Sequence, residues 1–412
     1  MKRFEKKLVP AGIVMMAALC MAASAASVKK IPASEGIEEV SVESDLFEDG
    51  LKASSITLSY VKKILPESVS PDDYRIDEGR VITEVSVKGK DVTLILDCSN
   101  KLLAEPDWNS LEDLPYETQL TVTQVGEVSS SNSKTLFTGS YSVITPKISW
   151  PEIVKNFGEK SDVDNSSGLK LRYSIYQPEG YFSGWNYPLV IFIPDERVNT
   201  DASKAALLQG QGATVWATKQ EQSKHKCIVV SVQYTLSSEQ KYGPFVNEDG
   251  SMTKGLAAVR VLIDRICKSY RVDGSRIYGV GQGQGANALM TLSENYPDLF
   301  AASILVAPQK QVADPAKLAG QKMWLQVSEG DSAAYSRANL LTDAWETAGA
   351  KVSYGKWNPR LEGAQADAEV AKIVAQKAPI NCGVFEGGNH PYTWSRMYGI
   401  ESIRDWLFRQ HR

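Results

Sequence analysis

Histidine is nearly absent, with three residues in 412, and the five cysteines form no Cys-x-x-Cys pair. A zinc site needs several thiolates or imidazoles at short fixed spacings, so no metal and no cofactor is expected. Four of the cysteines, Cys98, Cys227, Cys267 and Cys382, read as buried free thiols, although an exported chain would permit a disulfide. An excess of positive charge is lacking too: 45 Lys and Arg face 49 Asp and Glu. Such a surface attracts neither nucleic acid nor anionic lipid. Glycine and proline are ordinary in number, 30 and 18, and hydrophobic residues reach 43%, which excludes collagen-like and wholly disordered chains. A chain of this length is expected to fold as two or three domains, each with a core of its own.

What is present starts with an apolar head. Residues 8–26 carry no charge, follow Lys2, Arg3, Lys6 and Lys7, and close with Ala23-Ser24-Ala25 before Ala26. A basic start, an apolar middle and a small-x-small end read as a signal peptide over residues 1–25. The protein is therefore expected to be secreted, periplasmic or in the cell envelope. The run is almost long enough to span a bilayer, so an uncleaved leader would be a membrane tether; Pro10, Gly12 and the terminal small residues favour cleavage. Cys20 follows Leu19 where lipoprotein processing requires a small residue, which argues against a lipid anchor.

Residues 26–150 read as an all-β domain. Polar and apolar residues alternate in Val81-Ile82-Thr83-Glu84-Val85-Ser86-Val87 and, after a Lys88-Gly89-Lys90 turn, in Val92-Thr93-Leu94-Ile95-Leu96. Residues 119–123 and 140–144 repeat the pattern on either side of a Ser-rich stretch at 129–133. Short strands with turns at this spacing predict a small β-sandwich. After Trp150-Pro151 the pattern changes. Tyr187-Pro188-Leu189-Val190-Ile191-Phe192-Ile193 is apolar throughout, as a strand covered on both faces must be. Helical periodicity follows over 202–220 and 253–270, with further strands expected at 227–232, 276–280, 301–306 and 322–327. Strands alternating with helices predict an α/β domain over residues 160–412, its mostly parallel sheet carrying helices on both faces.

The chemistry begins where the third of these strands meets Gly281-Gln282-Gly283-Gln284-Gly285-Ala286-Asn287. Glycines two apart between a strand and a helix suit a nucleophile elbow, whose central residue is thrust out above the sheet. In a working enzyme that residue is Ser or Cys; here it is Gly283. The same letters fit a dinucleotide fingerprint through Gly281, Gly283 and Ala286. That fingerprint opens the first βα unit and needs a carboxylate at the end of the next strand. Here the motif lies in the third unit and the next strand ends Val306-Ala307-Pro308-Gln309, so a nicotinamide or flavin is not expected.

An acid and a histidine follow the elbow in hydrolase order. Asp331 comes after the strand that ends in Ser328, and His390 sits in Gly387-Gly388-Asn389-His390, a loop expected before the last helix. An imidazole there takes the proton from a nucleophile while the carboxylate fixes its tautomer. Taken singly, Asp331 reads more readily as a helix cap or turn residue, and His390 equally well as a packed loop histidine. Their joint order favours a triad remnant.

These segments resemble a known family. The second domain is similar to secreted α/β-hydrolases of the polyhydroxybutyrate depolymerase and feruloyl esterase type, related to prolyl oligopeptidase catalytic domains. The first resembles the immunoglobulin-like amino-terminal domain of certain esterases. The residues that carry the likeness are Tyr187-Pro188-Leu189-Val190-Ile191-Phe192, Tyr270 with Val272-Asp273, Arg276-Ile277-Tyr278, Tyr296-Pro297-Asp298-Leu299-Phe300-Ala301-Ala302, Glu329-Gly330-Asp331 and Gly388-Asn389-His390. The resemblance implies an α/β-hydrolase fold behind an immunoglobulin-like sandwich, with Asp331 and His390 as acid and base.

Two departures fall on the chemical step. Gly283 stands where the family has Ser, and Ile193-Pro194-Asp195-Glu196 replaces the turn whose N–H, with that of Gln284, builds the oxyanion hole. Proline has no N–H to give, and Asp195 brings negative charge where an oxyanion would develop. Losing a triad nucleophile costs on the order of 10⁶ in turnover. The site therefore reads as degenerate, with binding of an ester, carbohydrate or peptide ligand retained. The rival is an active carboxylic-ester hydrolase that uses another hydroxyl, Ser231, Ser328 or Ser332, or water activated by His390 and Asp331. A purely structural envelope role is the third reading. Trp185, Tyr234, Tyr242, Tyr335, Tyr392 and Trp394 are expected near the site, with Tyr392 and Trp394 as the substrate-binding candidates, though each alone reads more readily as core. Residues 364–377 predict an inserted helix that serves as a lid or a plain surface helix.

Overall fold

A computed structural model of the chain describes residues 28–48, 50–98, 120–145, 150–181, 184–196 and 204–412. The expected leader lies outside them. In the β-rich region, strands Ile37–Phe47 and Gly50–Tyr60 form a long hairpin, and Asp91–Leu96 and Ile82–Lys88 extend it to a four-stranded antiparallel sheet. The Lys88-Gly89-Lys90 turn is where alternation placed it, with Gly89 left-handed at φ 68°. Two three-stranded sheets accompany it, one of Tyr74–Ile76, Thr121–Gln124 and Tyr141–Ile144, the other of Lys29–Pro32, Thr135–Thr138 and Val128–Ser129. The Ser-rich stretch thus turns within a short hairpin of its own, which alternation over so few residues did not reveal. A buried polar knot joins the three sheets: the Tyr60 hydroxyl meets that of Tyr74 at 2.8 Å and donates to Gln124 Oε1 at 2.8 Å, while Gln124 Nε2 donates to the Phe137 carbonyl at 3.3 Å. Most buried hydroxyls and amides are satisfied by such partners.

The second region is built on a nine-stranded sheet, numbered here from its own first strand. The strands are β1 (Gly158–Val163), β2 (Lys170–Tyr176), β3 (Tyr187–Ile193), β4 (Ile228–Gln233), β5 (Val272–Gln282), β6 (Ala302–Val306), β7 (Met323–Ser328), β8 (Val352–Trp357) and β9 (Ile380–Phe385), in the spatial order β1-β2-β4-β3-β5-β6-β7-β9-β8. The pairs β1-β2 and β2-β4 are antiparallel, and every other pair is parallel. Every residue of β3, β4, β6 and β7 is buried, which is why these segments lack alternation. The helices are α1 (Lys219–Lys224), α2 (Leu236–Tyr242), α3 (Lys254–Ser269), α4 (Gln284–Asn295), α5 (Ser332–Thr347), α6 (Ala364–Val374), α7 (His390–Met397) and α8 (Glu401–Phe408). Two of the sulfhydryls, Cys227 and Cys382, are buried, Cys98 and Cys267 are half-buried, and all four are unpaired.

One expected helix is absent. The stretch predicted over 202–220 holds, within its described part, 3₁₀ turns at Ala205–Leu207 and Thr214–Ala217, and α-helix begins only at Lys219. The reason is the glycines between the turns. A Cβ at Gly212 would lie 2.3 Å from the Phe192 ring, and Gly210 has φ 78° with its would-be Cβ 2.7 Å from the Glu48 carbonyl oxygen. Periodicity sees neither constraint. The same stretch receives the tip of the long hairpin: Gln211 Nε2 donates to the Leu46 carbonyl at 3.4 Å, and Arg396 of α7 binds Glu48 at 3.0 Å.

Candidate active site

The strand β5 runs directly into α4 through Gly283, whose φ of 53° and ψ of −119° lie where only glycine is at ease. Its glycine neighbours allow the backbones to close up. A Cβ at Gly285 would stand 1.9 Å from the Ile193 carbonyl oxygen, and one at Gly281 would stand 2.5 Å from Gly285. The apex therefore has elbow geometry, and it is not vacant. A Cβ built on Gly283 would sit 2.1 Å from Oδ1 and 2.4 Å from Cγ of Asp195. The carboxylate of Asp195 fills the place from which a nucleophile at position 283 would project.

Asp195 reaches there from the turn after β3. Its N–H donates to Gln209 Oε1 at 2.9 Å, and Gln282 Nε2 donates to the same oxygen at 2.9 Å, which fixes the turn against β5. Oδ1 accepts the N–H of Gln284 at 2.8 Å, the donor expected to face an oxyanion. Oδ2 lies 3.7 Å from His390 Nε2, an ion-pair distance rather than a hydrogen bond. Pro194, without an N–H, contributes no donor. The side chain of Gln284 turns away to Glu196 Oε2 at 3.3 Å.

His390 is not in a loop. It is the first residue of α7, whose N-cap Asn389 accepts from the Tyr392 N–H at 3.0 Å, and α8 follows it. The pairing Gly-Asn before His is an N-cap signal that the loop reading passed over. Imidazole Nδ1 lies 2.5 Å from Asp331 Oδ2. Asp331 meanwhile accepts from the Ala334 N–H through Oδ1 at 3.1 Å and caps α5. Helix cap and histidine partner, weighed as alternatives for Asp331, are both true of it, one per oxygen.

Both carboxylates thus stand at helix N-termini with an imidazole between them, where backbone N–H groups and the helix dipole favour negative charge. Burial works against the charge on His390, but the two carboxylates outweigh it and push its pKa up to about 9. For Asp195 and Asp331 burial opposes ionisation, and the imidazolium and backbone donors overcome it and hold both carboxyls below their usual range. The two carboxylates thus favour a protonated imidazole between them, and its charge favours theirs. An imidazolium has no lone pair with which to take a proton from a hydroxyl.

Of the alternative hydroxyls, Ser231 and Ser328 are buried, while Ser332 is exposed at the start of α5. Ser328 Oγ accepts from Thr393 Oγ1 at 2.8 Å and is fully buried, and among the described residues no hydroxyl hydrogen-bonds His390. Trp394 is buried at 2% exposure and meets the imidazole edge to face at 4.8 Å, so it props the ring and offers no face to a ligand. Tyr392 instead lines an open groove of about 730 Å³ beside the site, together with Asn358, Arg360, Glu386 and the 387–389 turn. Tyr234 is buried in a stack on Phe245, and Tyr242 donates to the Gly168 carbonyl. Trp185 precedes β3 and lies at the other edge of the sheet, about 20 Å away for a seven-residue strand.

Two residues of the site were missed. Gln309 Nε2 donates to Asp331 Oδ1 at 3.3 Å and lies 2.9 Å from His390 Nδ1, whose own proton goes to Asp331. Gln209 anchors the Asp195 turn. Gln309 had a signal, since it stands just beyond the end of β6; Gln209 had none outside the tertiary contact.

No protein-family model and no curated protein matches the sequence. In structure the chain is similar to a thermostable esterase, with a TM-score of 0.69 at 20% identity over 91% of this chain and 100% of that one. The fold is that of an α/β-hydrolase. A ferulic acid esterase matches at a TM-score of 0.42 and 12% identity over 61% of this chain and 97% of its own. The S-formylglutathione hydrolase FrmB from Staphylococcus aureus matches at 0.42 and 9% over 61% and 96%.

Proposed function

We propose that this is an exported esterase-type α/β-hydrolase whose serine chemistry is lost and whose ligand binding is retained. The reading includes a leader over residues 1–25, an immunoglobulin-like sandwich over 26–150 and a hydrolase domain over 160–412. The observation that carries it is the Asp195 carboxylate in the nucleophile's place, accepting the Gln284 N–H. Glycine has nothing to acylate, the remaining oxyanion donor is engaged, and the base is held as its conjugate acid. The groove at Tyr392, Arg360 and Glu386, polar and adjacent to His390, suits a small ester, carbohydrate or peptide ligand. The test is labelling with a fluorophosphonate alongside turnover of p-nitrophenyl acetate. Neither labelling nor turnover above the solution rate is expected; stoichiometric modification of one serine overturns the proposal.

One observation favours the second reading, an active carboxylic-ester hydrolase with an unconventional nucleophile. Asp195 itself stands at the apex, with an imidazolium beside it that can protonate a leaving alkoxide. Attack would form an anhydride, and the neutral imidazole left behind would activate the water that cleaves it. Turnover abolished by Asp195→Asn, with solvent ¹⁸O entering Asp195, selects this reading.

A further inference from the structure

We propose a second binding site, for a planar aromatic anion, at the amino edge of the same sheet. A cavity of about 430 Å³ opens there, next to Tyr187 at the start of β3 and Arg276 in β5. Asp195, Gly283 and Asp331 all follow the carboxyl ends of their strands, so the two sites lie on opposite edges.

Two features of the cavity point to the ligand. The first is apolar. Trp185 is 72% exposed, the most of any large hydrophobic side chain among the described residues. Across the lining, Phe408 stacks on His225 at 4.4 Å with the rings 6° from parallel, and Asp405 Oδ1 lies 2.8 Å from Nε2 of that imidazole. The floor is aromatic, while the indole has no ring partner among the described residues. Offset stacking on such a face favours a flat, unsaturated ligand.

The second is electrostatic. Lys224, Lys226 and Arg276 line the cavity and, among the described residues, no carboxylate does. Glu401 and Asp273, which pair with Lys224 and Arg276, stand outside the lining. Arg276 engages Asp273 through Nε, and Lys226 donates to the Glu179 carbonyl at 3.3 Å with no carboxylate within ion-pair distance among the described residues. An anionic group on the ring meets the Lys226 ammonium and the outer edge of the Arg276 guanidinium, the side-chain types best suited to a carboxylate or sulfonate.

The probe is 2-naphthoate, titrated into the full chain by isothermal calorimetry. Saturable one-to-one binding is expected, weakened at least about tenfold by Trp185→Ala and by Lys226→Gln, and at least about tenfold for the neutral isostere 2-naphthalenemethanol. Both side chains are exposed, and circular dichroism of the variants confirms that folding is unchanged. Tyr392→Ala, which alters the groove at the carboxyl edge, leaves the affinity as it is. The proposal fails if no saturable heat appears at millimolar probe, if Trp185→Ala or Lys226→Gln binds normally, if the alcohol binds as well as the acid, or if Tyr392→Ala is the variant that loses binding.

Discussion

The two edges of the large sheet are finished in opposite ways. At the carboxyl edge the charged groups satisfy one another: His390 lies between Asp195 and Asp331, and each carboxylate also caps a helix. At the amino edge an indole is left in water and the lysines and arginine face a cavity with no acid among the described residues of its wall. Open α/β sheets bind ligands beyond the carboxyl ends of their strands. Here the Asp195 carboxylate occupies that place at the apex, and its partners are His390 and the Gln284 N–H. A site is available to a ligand only where its own side chains leave charge and apolar surface uncovered.

The largest test of this contrast reopens the closed edge. Asp195→Gly combined with Gly283→Ser removes the plug, frees the Gln284 N–H and supplies an oxygen facing His390. The double variant is expected to regain part of the roughly 10⁶-fold that a triad nucleophile is worth, read as p-nitrophenyl acetate turnover and fluorophosphonate labelling. Gly283→Ser alone gains nothing, because its Cβ meets Asp195 at 2.1 Å; Asp195→Gly alone gains nothing for want of a nucleophile.

A smaller effect tests what the edges share. Arg404 of α8 donates to Glu221 of α1 at 2.8 Å, both nearly inaccessible, and these two helices carry Lys224, Asp405 and Phe408 of the open edge. Glu221→Ala strands a buried guanidinium and is expected to cost about 3–5 kcal/mol in urea unfolding. The charge on His390 comes next. Its folded pKa of about 9 exceeds the ordinary 6.5, so the stability it lends is complete below that ordinary value and is lost as pH rises through about 9. Asp195 and Asp331 are shifted down, so their contribution is present above about pH 4 and is lost as pH falls through their folded values. Asp195→Asn is expected to lower the His390 midpoint by about 1–3 units, followed by NMR of the imidazole. The smallest effect belongs to the open edge: Trp185→Ala changes stability by less than about 0.5 kcal/mol, since most of the ring lies in solvent.

Much of the frame was legible along the chain because its signals are local. The unbroken apolar residues of β3 and β4, the alternation in Ile82–Lys88 and Asp91–Leu96, and the amphipathic α3 each report burial on faces that neighbours in sequence define. The strand–glycine–helix turn at Gly283 is a local signal too, whereas the approach of Asp331 to His390 spans 59 positions and needed the fold. The 3₁₀ turns around Gly210 and Gly212 were not, since what forbids a helix there is the Phe192 ring and the Glu48 carbonyl from elsewhere in the chain. Trp185 and Trp394 looked alike as letters near a site; packing buried one against His390 and left the other in solvent at the opposite edge.

By itself, then, the sequence determined that an oxygen is missing at position 283, because a side chain is a covalent property of its residue. Only the tertiary structure decided what stands in its stead. Asp195 and Gly283 are 88 positions apart, and their approach depends on β3 and β5 lying side by side with three glycines letting the turns touch. The charge state of His390 was decided there too, since it depends on two carboxylates brought within 4 Å by the fold.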